Sequence, residues 1–528
     1  MYRPILLLAA AASLATSTII QHPLKEQSSH SLINTEPKSL VDSSSLQNDI
    51  KTDNLLTRAH QLYKIAEEGV HEYNHPTRVI GSQGISSLLL IFSDRFVDSL
   101  SVIGHTSTID YIYSSIASLG DYYDISNQTF PAVMGNVFDY RLVLGDTVPK
   151  TAIPMSLTPP TYKKDAVFGQ LVLVENDGCD ESDYSTEVKG SIAFIRRGTC
   201  AFGDKSANAG KAGAIAAVIY NNAHGALGGT LGAPNKLHVA TFGISDDEAA
   251  PYIEKLRKGK SVDGSAYIDA VVQAIGTTNI IAQTKGGDPN NCVMLGGHSD
   301  SVVEGPGIND DGSGSLSLLE VATQLVNYNV NNCVRFAWWA GEEEGLLGSD
   351  YYVSQLSEEE NLKIRLFMDY DMMASPNYAY QVYNATDASN PSGSEALRNL
   401  YTEWYEAHDL NYTYIPFDGR SDYDAFIKHG IPGGGIATGA EGIKSAEEAQ
   451  MFGGKAGDWF DPCYHQLCDD IENLALDAWL INTRLIAHSV ATYAISFEGY
   501  PKRTLESIST ATTSVKEEAK YHGPKLVI

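Results

Sequence analysis

Between Val293 and Asp371 the chain repeats one arrangement three times, and no other stretch constrains the fold as strongly. In each repeat a short apolar run of strand type stops at residues that bind metals or move protons. Val293–Leu295 leads to His298 and Asp300; Val334–Trp339 leads to Glu342, Glu343 and Glu344; Ile364–Met368 leads to Asp369 and Asp371. Between the first two runs lie Gly307–Gly314 (GINDDGSG) and then Leu316–Val326, whose apolar residues recur at helical spacing. Strand, helix, strand, helix, strand predicts an open α/β sheet, where ligands collect outside the carboxyl ends of the strands. His and carboxylates at those ends predict a site for a divalent cation. A single acid after a strand is commonly a helix cap or a solvated loop residue. Three such ends, joined by Tyr464-His465 inside DPCYHQLCDD, outweigh that reading.

The N-terminus reads as an export signal. Arg3 precedes the apolar run Ile5–Ala12, and small residues at Ser13 and Ala15 suit cleavage, so residues 1–20 are assigned as a signal peptide. The run is too short to span a bilayer, and no later stretch is long and apolar enough to do so. Six cysteines fit an oxidising compartment, and proximity favours Cys179 with Cys200, Cys292 with Cys333, and Cys463 with Cys468 among the many connectivities that six allow. N-x-T glycosylation acceptors occur at Asn127, Asn384 and Asn411. The formal charge of −28 argues against nucleic acid or an anionic membrane as partner and fits an acidic or extracellular medium.

Residues 21–50 are Ser-rich and weakly periodic, and read as a pro-segment or disordered leader. Residues 51–140 open the site-bearing domain, with helices predicted at Thr52–Glu68 and Ser107–Leu119 and a strand at Phe130–Val133. Residues 141–275 change texture: Gly, Val and Ala dominate, with short strands at Gly169–Val174, Gly190–Ile195, Ala214–Tyr220 and Val239–Ile244. This stretch has no cluster of His and acids that suggests chemistry, so it reads as an accessory domain. Residues 276–498 return to the site-bearing domain, with a strand at Tyr378–Tyr383, a helix at Gly393–Ala407 and closing helices in Asp469–Ile495; residues 499–528 read as a disordered tail.

The blocks GHSD, GINDDGSG, GEEEGLLGS, DMM after Asp369-Tyr370, and CYH, in this order, resemble the secreted co-catalytic dizinc aminopeptidases. With residues 141–275 included, the chain is similar to fungal secreted or vacuolar leucine-type aminopeptidases, which carry an inserted protease-associated domain; CAFGDKSANAGKAGA resembles that domain's signature turn. The resemblance implies a mixed-sheet α/β/α zinc-exopeptidase fold with a small β-rich insert. It implies two zinc ions per chain, one held by His298 and Asp371, the other by Glu343 and His465, with Asp310 bridging. Asp300 would hydrogen-bond the second nitrogen of His298, and Asp310-Asp311 would be joined by a cis peptide. Glu342 would be the general base and Tyr464 a donor to the developing oxyanion. Arg420 would face the substrate, with a local salt bridge to Asp418 or Asp422 as the alternative. Glu344 is left as a charge near the N-terminus of the helix that follows.

The resemblance implies an enzyme acting on peptides with a free N-terminus, with Leu or another apolar residue expected first; a monomer, secreted or vacuolar, is expected. Receptors with this domain pairing have lost metal ligands, whereas all five positions are filled here. A dizinc carboxypeptidase or deacylase is the alternative within enzymes, and needs a cationic pocket for which Arg420 alone stands. One segment departs from the family pattern. Ile85–Ile103 separates GSQG from GHTST, which are nearly contiguous in similar chains; it reads as an unremoved intron or, alternatively, as a surface insertion.

Overall fold

Residues 38–81, 104–232, 234–386 and 390–504 are described by the structure, a computed structural model. The assigned signal peptide, residues 21–37, the segment Ile85–Ile103 and residues 505–528 lie outside the described residues.

In chain order the elements begin with helices α1 (Ser43–Asp49), α2 (Thr52–Ala66), α3 (Val70–Tyr73) and α4 (Gly104–Ala117) and the long strand β1 (Tyr123–Leu144). There follow β2 (Ile153–Pro154), β3 (Val167–Leu173), β4 (Ile192–Arg196), α5 (Phe202–Lys211), β5 (Ala216–Tyr220), β6 (Thr241–Ile244), α6 (Asp246–Arg257) and a second long strand, β7 (Asp263–Thr284). Then come β8 (Asp288–His298), α7 (Gly312–Leu325), β9 (Asn332–Trp339), α8 (Leu347–Ser354), α9 (Glu358–Lys363) and β10 (Ile364–Tyr370). The remainder is β11 (Gln381–Tyr383), α10 (Ser394–Ala407), β12 (Thr413–Ile415), α11 (Tyr423–Lys428), β13 (Gly433–Ala437), α12 (Ala446–Phe452) and α13 (Leu476–Ile495).

The strand order is β12-β11-β13-β10-β8-β9-β7-β3-β4-β5-β6-β2, with β1 paired along β7. Strands β13, β10, β8 and β9 run parallel, so their carboxyl ends share one edge. The three runs singled out in the sequence are the three central strands, and their near-continuous apolar character follows from burial on both faces. Side chains alternate between two cores, as the period of two in a strand requires. Val293, Leu295, Phe336, Trp338, Leu366 and Met368 point to the core under α1, α2, α7, α10 and α13. Met294, Ala337, Trp339 and Phe367 point to the opposite core, with Tyr352 of α8 and Phe426 of α11.

Antiparallel strands β1 and β7, each 22 residues long, serve both parts of the sheet. At one end Tyr123, Ile280 and Ala282 join the large core; at the other Leu142, Leu144, Ala266 and Ile268 join a separate core with β3, β4, β5 and β6. The predicted strand Phe130–Val133 is only the middle of β1.

Two expectations are corrected. Residues 38–50 are not a disordered leader: Asp42 caps α1 by accepting from the N–H of Ser44 and Ser45. Val41, Leu46 and Ile50 are buried in the large core, and Asp49 accepts from the hydroxyl of Tyr328. The apolar pair at i and i+4 supplies the buried face that the serines conceal. Nor does the packed chain stop at 498. Tyr500 is buried, and the Arg503 guanidinium donates to the carbonyls of Asn361, Ile364 and Gly430.

Candidate metal centre

His298 closes β8, and its imidazole is 1 % exposed. Beyond it the chain loops through Asp310 and into α7. The Asp310 carboxylate spans two imidazoles: Oδ1 lies 3.2 Å from His298 Nε2, and Oδ2 lies 3.2 Å from His465 Nε2. Asp371, just past β10, places Oδ1 3.8 Å from His298 Nε2. Glu343, just past β9, places Oε2 3.1 Å from His465 Nε2. Two groups therefore converge, His298–Asp310–Asp371 and Asp310–Glu343–His465, each with its potential ligand atoms within 4.8 Å of one another and with Asp310 in both. Glu342 stands alongside, its Oε2 4.0 Å from His298 Nε2.

The donor set fits metal ions. Glu343 Oε1 and Asp371 Oδ1 are buried and have no hydrogen-bond partner among the described residues. Carboxylates gathered without donors need cations, and mixed imidazole and carboxylate ligation suits a divalent metal. Burial raises the Glu342 carboxyl well above its usual range, helped by Glu343 and Asp422. Burial, then Asp310, pushes Asp371 up to about 7. Burial acts the same way on Asp310, but hydrogen bonds from His298 and His465 outweigh it and hold that carboxyl low. Burial opposes protonation of the two histidines, yet the surrounding acids hold both well above their ordinary value.

The supporting groups explain why these side chains converge. Asp311 follows a cis peptide from Asp310, as expected. Its Oδ2 accepts from the His298 N–H at 3.1 Å, while Oδ1 accepts from Gly314 at 2.9 Å and Met372 at 3.1 Å. One carboxylate thus ties the end of β8, the start of α7 and the loop after β10. Asp300 Oδ1 accepts from the N–H groups of Gly341 and Glu342 and so orients the acidic turn. It faces His298 Nδ1 at 3.6 Å, longer than the expected hydrogen bond. Ser421 Oγ donates to Asp371 Oδ2 at 3.0 Å.

A further network was not anticipated. Asp469 accepts from the N–H of Asn309 at 2.9 Å and of Asp310 at 3.0 Å. Asn309 Nδ2 donates to Asp461 Oδ2 at 2.6 Å, and Asn473 Nδ2 donates to both Asp461 and Asp469. Asp461 and Asp469 flank the CYHQLC segment in the sequence, and that proximity was the available signal.

Tyr464 lies beside His465, with ring centroids 3.8 Å apart. With Arg420, the acids and Met372, Tyr383 and Phe460 it lines a cavity of about 400 Å³. The Arg420 guanidinium pairs with Glu441, at 2.9 Å, and not with Asp418 or Asp422; only its backbone N–H reaches Asp418. Glu344 is misplaced in the sequence reading. Helix α8 starts at Leu347 after Leu346 in the left-handed region, so Glu344 precedes its first turn, and its buried Oε2 has no hydrogen-bond partner among the described residues. All three expected disulfides form: Cys179–Cys200, Cys292–Cys333 and Cys463–Cys468. Asn127 and Asn411 are exposed, whereas Asn384 is half-buried.

The model of peptidase family M28 matches residues 279–490, and that of the PA domain matches residues 167–251. Aminopeptidase Y of Saccharomyces cerevisiae is 50 % identical over 502 residues, covering 92 % of this chain and 87 % of its own. Probable leucine aminopeptidase 2 of Aspergillus oryzae is 42 % identical, covering 89 % of this chain and 90 % of its own. Among solved structures, an aminopeptidase from Aneurinibacillus sp. strain AM-1 superposes with a TM-score of 0.64 at 23 % identity, over 92 % of this chain and all of its own. The zinc aminopeptidase BSAP of Bacillus subtilis superposes with a TM-score of 0.55 at 22 % identity, over 87 % of this chain and 97 % of its own. At those identities the structures establish the shared fold, and the fungal relatives establish kinship along the chain: it belongs to peptidase family M28, with a PA domain inserted.

Proposed function

We propose that the chain is a zinc aminopeptidase that removes N-terminal residues from peptides, working with two zinc ions per molecule. His298 and Asp371 would hold one ion, Glu343 and His465 the other, and Asp310 would bridge them. The observation that carries this reading is the placement of one carboxylate, Asp310, at 3.2 Å from each of two buried imidazoles. When bound, paired zinc supplies Lewis acidity toward the scissile carbonyl and a water of lowered pKa.

The chain's own groups supply the rest. Glu342 takes a proton from the attacking water and delivers it to the leaving amine. Its carboxyl is buried beside the proposed metal-holding groups, with Oε2 4.0 Å from His298 Nε2, which places it to act on a water held there. Asp300 accepts the Glu342 N–H and holds that carboxylate's backbone in place. Tyr464 donates its hydroxyl proton to the developing oxyanion. Met372, Tyr383 and Phe460 offer apolar surface for the first side chain, in keeping with Leu, the residue in the names of several relatives. Acids around the site attract an N-terminal ammonium, and Glu441 offsets the charge of Arg420, which leaves little for a substrate carboxylate. Residues 141–275 act as a non-catalytic accessory unit. Export to the medium or the vacuole, as a monomer, completes the proposal; the three disulfides support the export.

Release of amine from a leucyl-anilide by zinc-loaded protein tests the activity, with the N-acetylated anilide as control. Turnover of the acetylated compound at an equal rate would exclude an aminopeptidase. Metal analysis of Asp310→Ala tests the bridge: the variant should lose both ions, and retention of two would overturn it.

A further inference from the structure

Within the proposed active site, Arg420 is expected to face the substrate, yet its guanidinium is already engaged. Nη1 lies 2.9 Å from Glu441 Oε1, Nη2 lies 3.2 Å from Glu441 Oε2, and Nη2 also lies 3.2 Å from the hydroxyl of Tyr464. We infer that Arg420 is a positioning residue, pinned by Glu441, that fixes the direction of the Tyr464 hydroxyl proton; this rests on the proposed role of Tyr464 as oxyanion donor.

The chemistry of the two groups sets the direction. A guanidinium has only N–H donors, so the phenol oxygen must be the acceptor in the contact with Arg420. Its one proton then points away from the guanidinium. The same cavity is lined by Asp310, Glu343 and His465, beside which the reacting carbonyl would lie, and the His465 ring is 3.8 Å from that of Tyr464. A cation against the phenol oxygen also polarises its O–H bond, making it a stronger donor. Without Arg420 the hydroxyl is free to rotate, and preorganisation toward the developing charge is lost.

Glu441 accounts for the precision of the arrangement. The Arg420 side chain is 47 % exposed, and a long side chain at that exposure samples many rotamers. A two-pronged carboxylate contact restricts it to one plane. Such a half-exposed pair contributes little to folding, so its value lies in geometry. Glu441 and Arg420 come from separate loops, after β13 and before α11, and Tyr464 from a third. The interaction therefore joins three segments that line the cavity.

The test is a double-mutant cycle on the full-length, zinc-loaded protein with leucyl-4-nitroanilide, measuring kcat and KM separately, together with zinc content and calorimetric affinity for leucinephosphonic acid, a mimic of the tetrahedral adduct. Tyr464→Phe should lower kcat by roughly a hundredfold, the scale for losing one oxyanion donor. Arg420→Met and Glu441→Gln should each lower kcat by roughly tenfold, with KM within about twofold and zinc unchanged. Arg420→Lys should restore part of the loss only while Glu441 is present. Combined with Tyr464→Phe, neither Arg420→Met nor Glu441→Gln should cost more than about twofold further in kcat or in phosphonate affinity. Losses that multiply with that of Tyr464→Phe, or that fall on KM alone, would show Arg420 acting on the substrate directly and overturn the inference while leaving Tyr464 as donor. An unchanged kcat in Tyr464→Phe would instead remove the role of Tyr464, and this inference with it.

Discussion

Asp469 Oδ2 accepts the backbone N–H of Asp310 at 3.0 Å. The residue proposed to bridge two metal ions is thus held by a carboxylate that belongs to the loop carrying His465. Because Asp469 Oδ1 also accepts from Asn309, one side chain receives two successive N–H groups. In Asp469→Asn a single oxygen must serve both, and the amide NH2 faces a backbone donor. The expected cost is about 1–3 kcal/mol in folding stability and roughly ten- to a hundredfold in zinc affinity. Urea unfolding and chelator competition measure the two. Unchanged zinc affinity would mean that Asp310 needs no help from Asp469.

The bridge between Cys463 and Cys468 closes a loop of sequence separation 5 around Tyr464 and His465. A loop so short gains little from chain entropy. His465 sits at φ +56°, in the left-handed region that favours glycine. We expect the disulfide to help hold His465 there. Replacing both cysteines with Ser should weaken zinc retention by about tenfold while moving the thermal midpoint of zinc-loaded protein only slightly. A large fall in that midpoint with zinc affinity intact would reverse the assignment.

The proposed metal-binding residues were legible because His and acids are costly to bury, and here they stand at the ends of strands whose apolar runs announce burial. His298, Glu343 and Asp371 each follow such a run. The central strands were equally plain, since parallel strands covered on both faces read as continuous apolar segments. The support was less legible. Asn309 and Asp461 are separated by 152 residues, and nothing local to either marks them as partners. Likewise β1 showed only at Phe130–Val133, because a long paired strand with exposed residues on one side carries no extended apolar run. In α1 the serines set the composition, while Asp42, Leu46 and Ile50 set the structure. Arg420 was visible but its ion-pair partner was not: Glu441 lies on another loop, and the nearer Asp418 and Asp422 were the candidates in sequence.

Acidity should act on the metal-free protein in an unusual direction. Burial raises Asp371 and Asp422 to about 7 from an ordinary 3.8. A carboxyl whose pKa is raised on folding binds more protons folded than unfolded between those values. The contribution of these two groups to stability therefore falls as pH rises from about 4 to about 7, opposed up to about 6.5 by the buried His105 and His488, which burial lowers to about 4. His298 and His465, also raised by their acidic neighbours, act in the same direction at their own titrations. Zinc-stripped protein should have a higher urea midpoint at about pH 5 than at about pH 7.5, and saturating zinc should reverse the order by replacing protons with metal. A metal-free midpoint that rises with pH would contradict this account.

The three consecutive glutamates after β9 should separate cleanly. Glu342 is 4 % exposed, and its Oε2 lies 4.0 Å from His298 Nε2. Glu343 Oε2 lies 3.1 Å from His465 Nε2. Glu344 turns elsewhere: burial, then Asp300 and Glu343, raise its carboxyl well above the usual range. Glu342→Gln keeps the shape and removes the proposed base, so kcat should fall by roughly two to four orders of magnitude with zinc content unchanged. Glu343→Gln removes an oxygen proposed to hold metal, so zinc should be lost and activity partly restored at high zinc. Glu344→Gln removes a charge that is costly where it stands, so zinc content and kcat should hold and the unfolding midpoint should stay level or rise. Metal analysis and kinetics on the three variants decide the order. Tight retention of both ions by Glu343→Gln, with loss of one by Glu344→Gln, would shift the register by a residue and take the assignment of Glu342 as base with it.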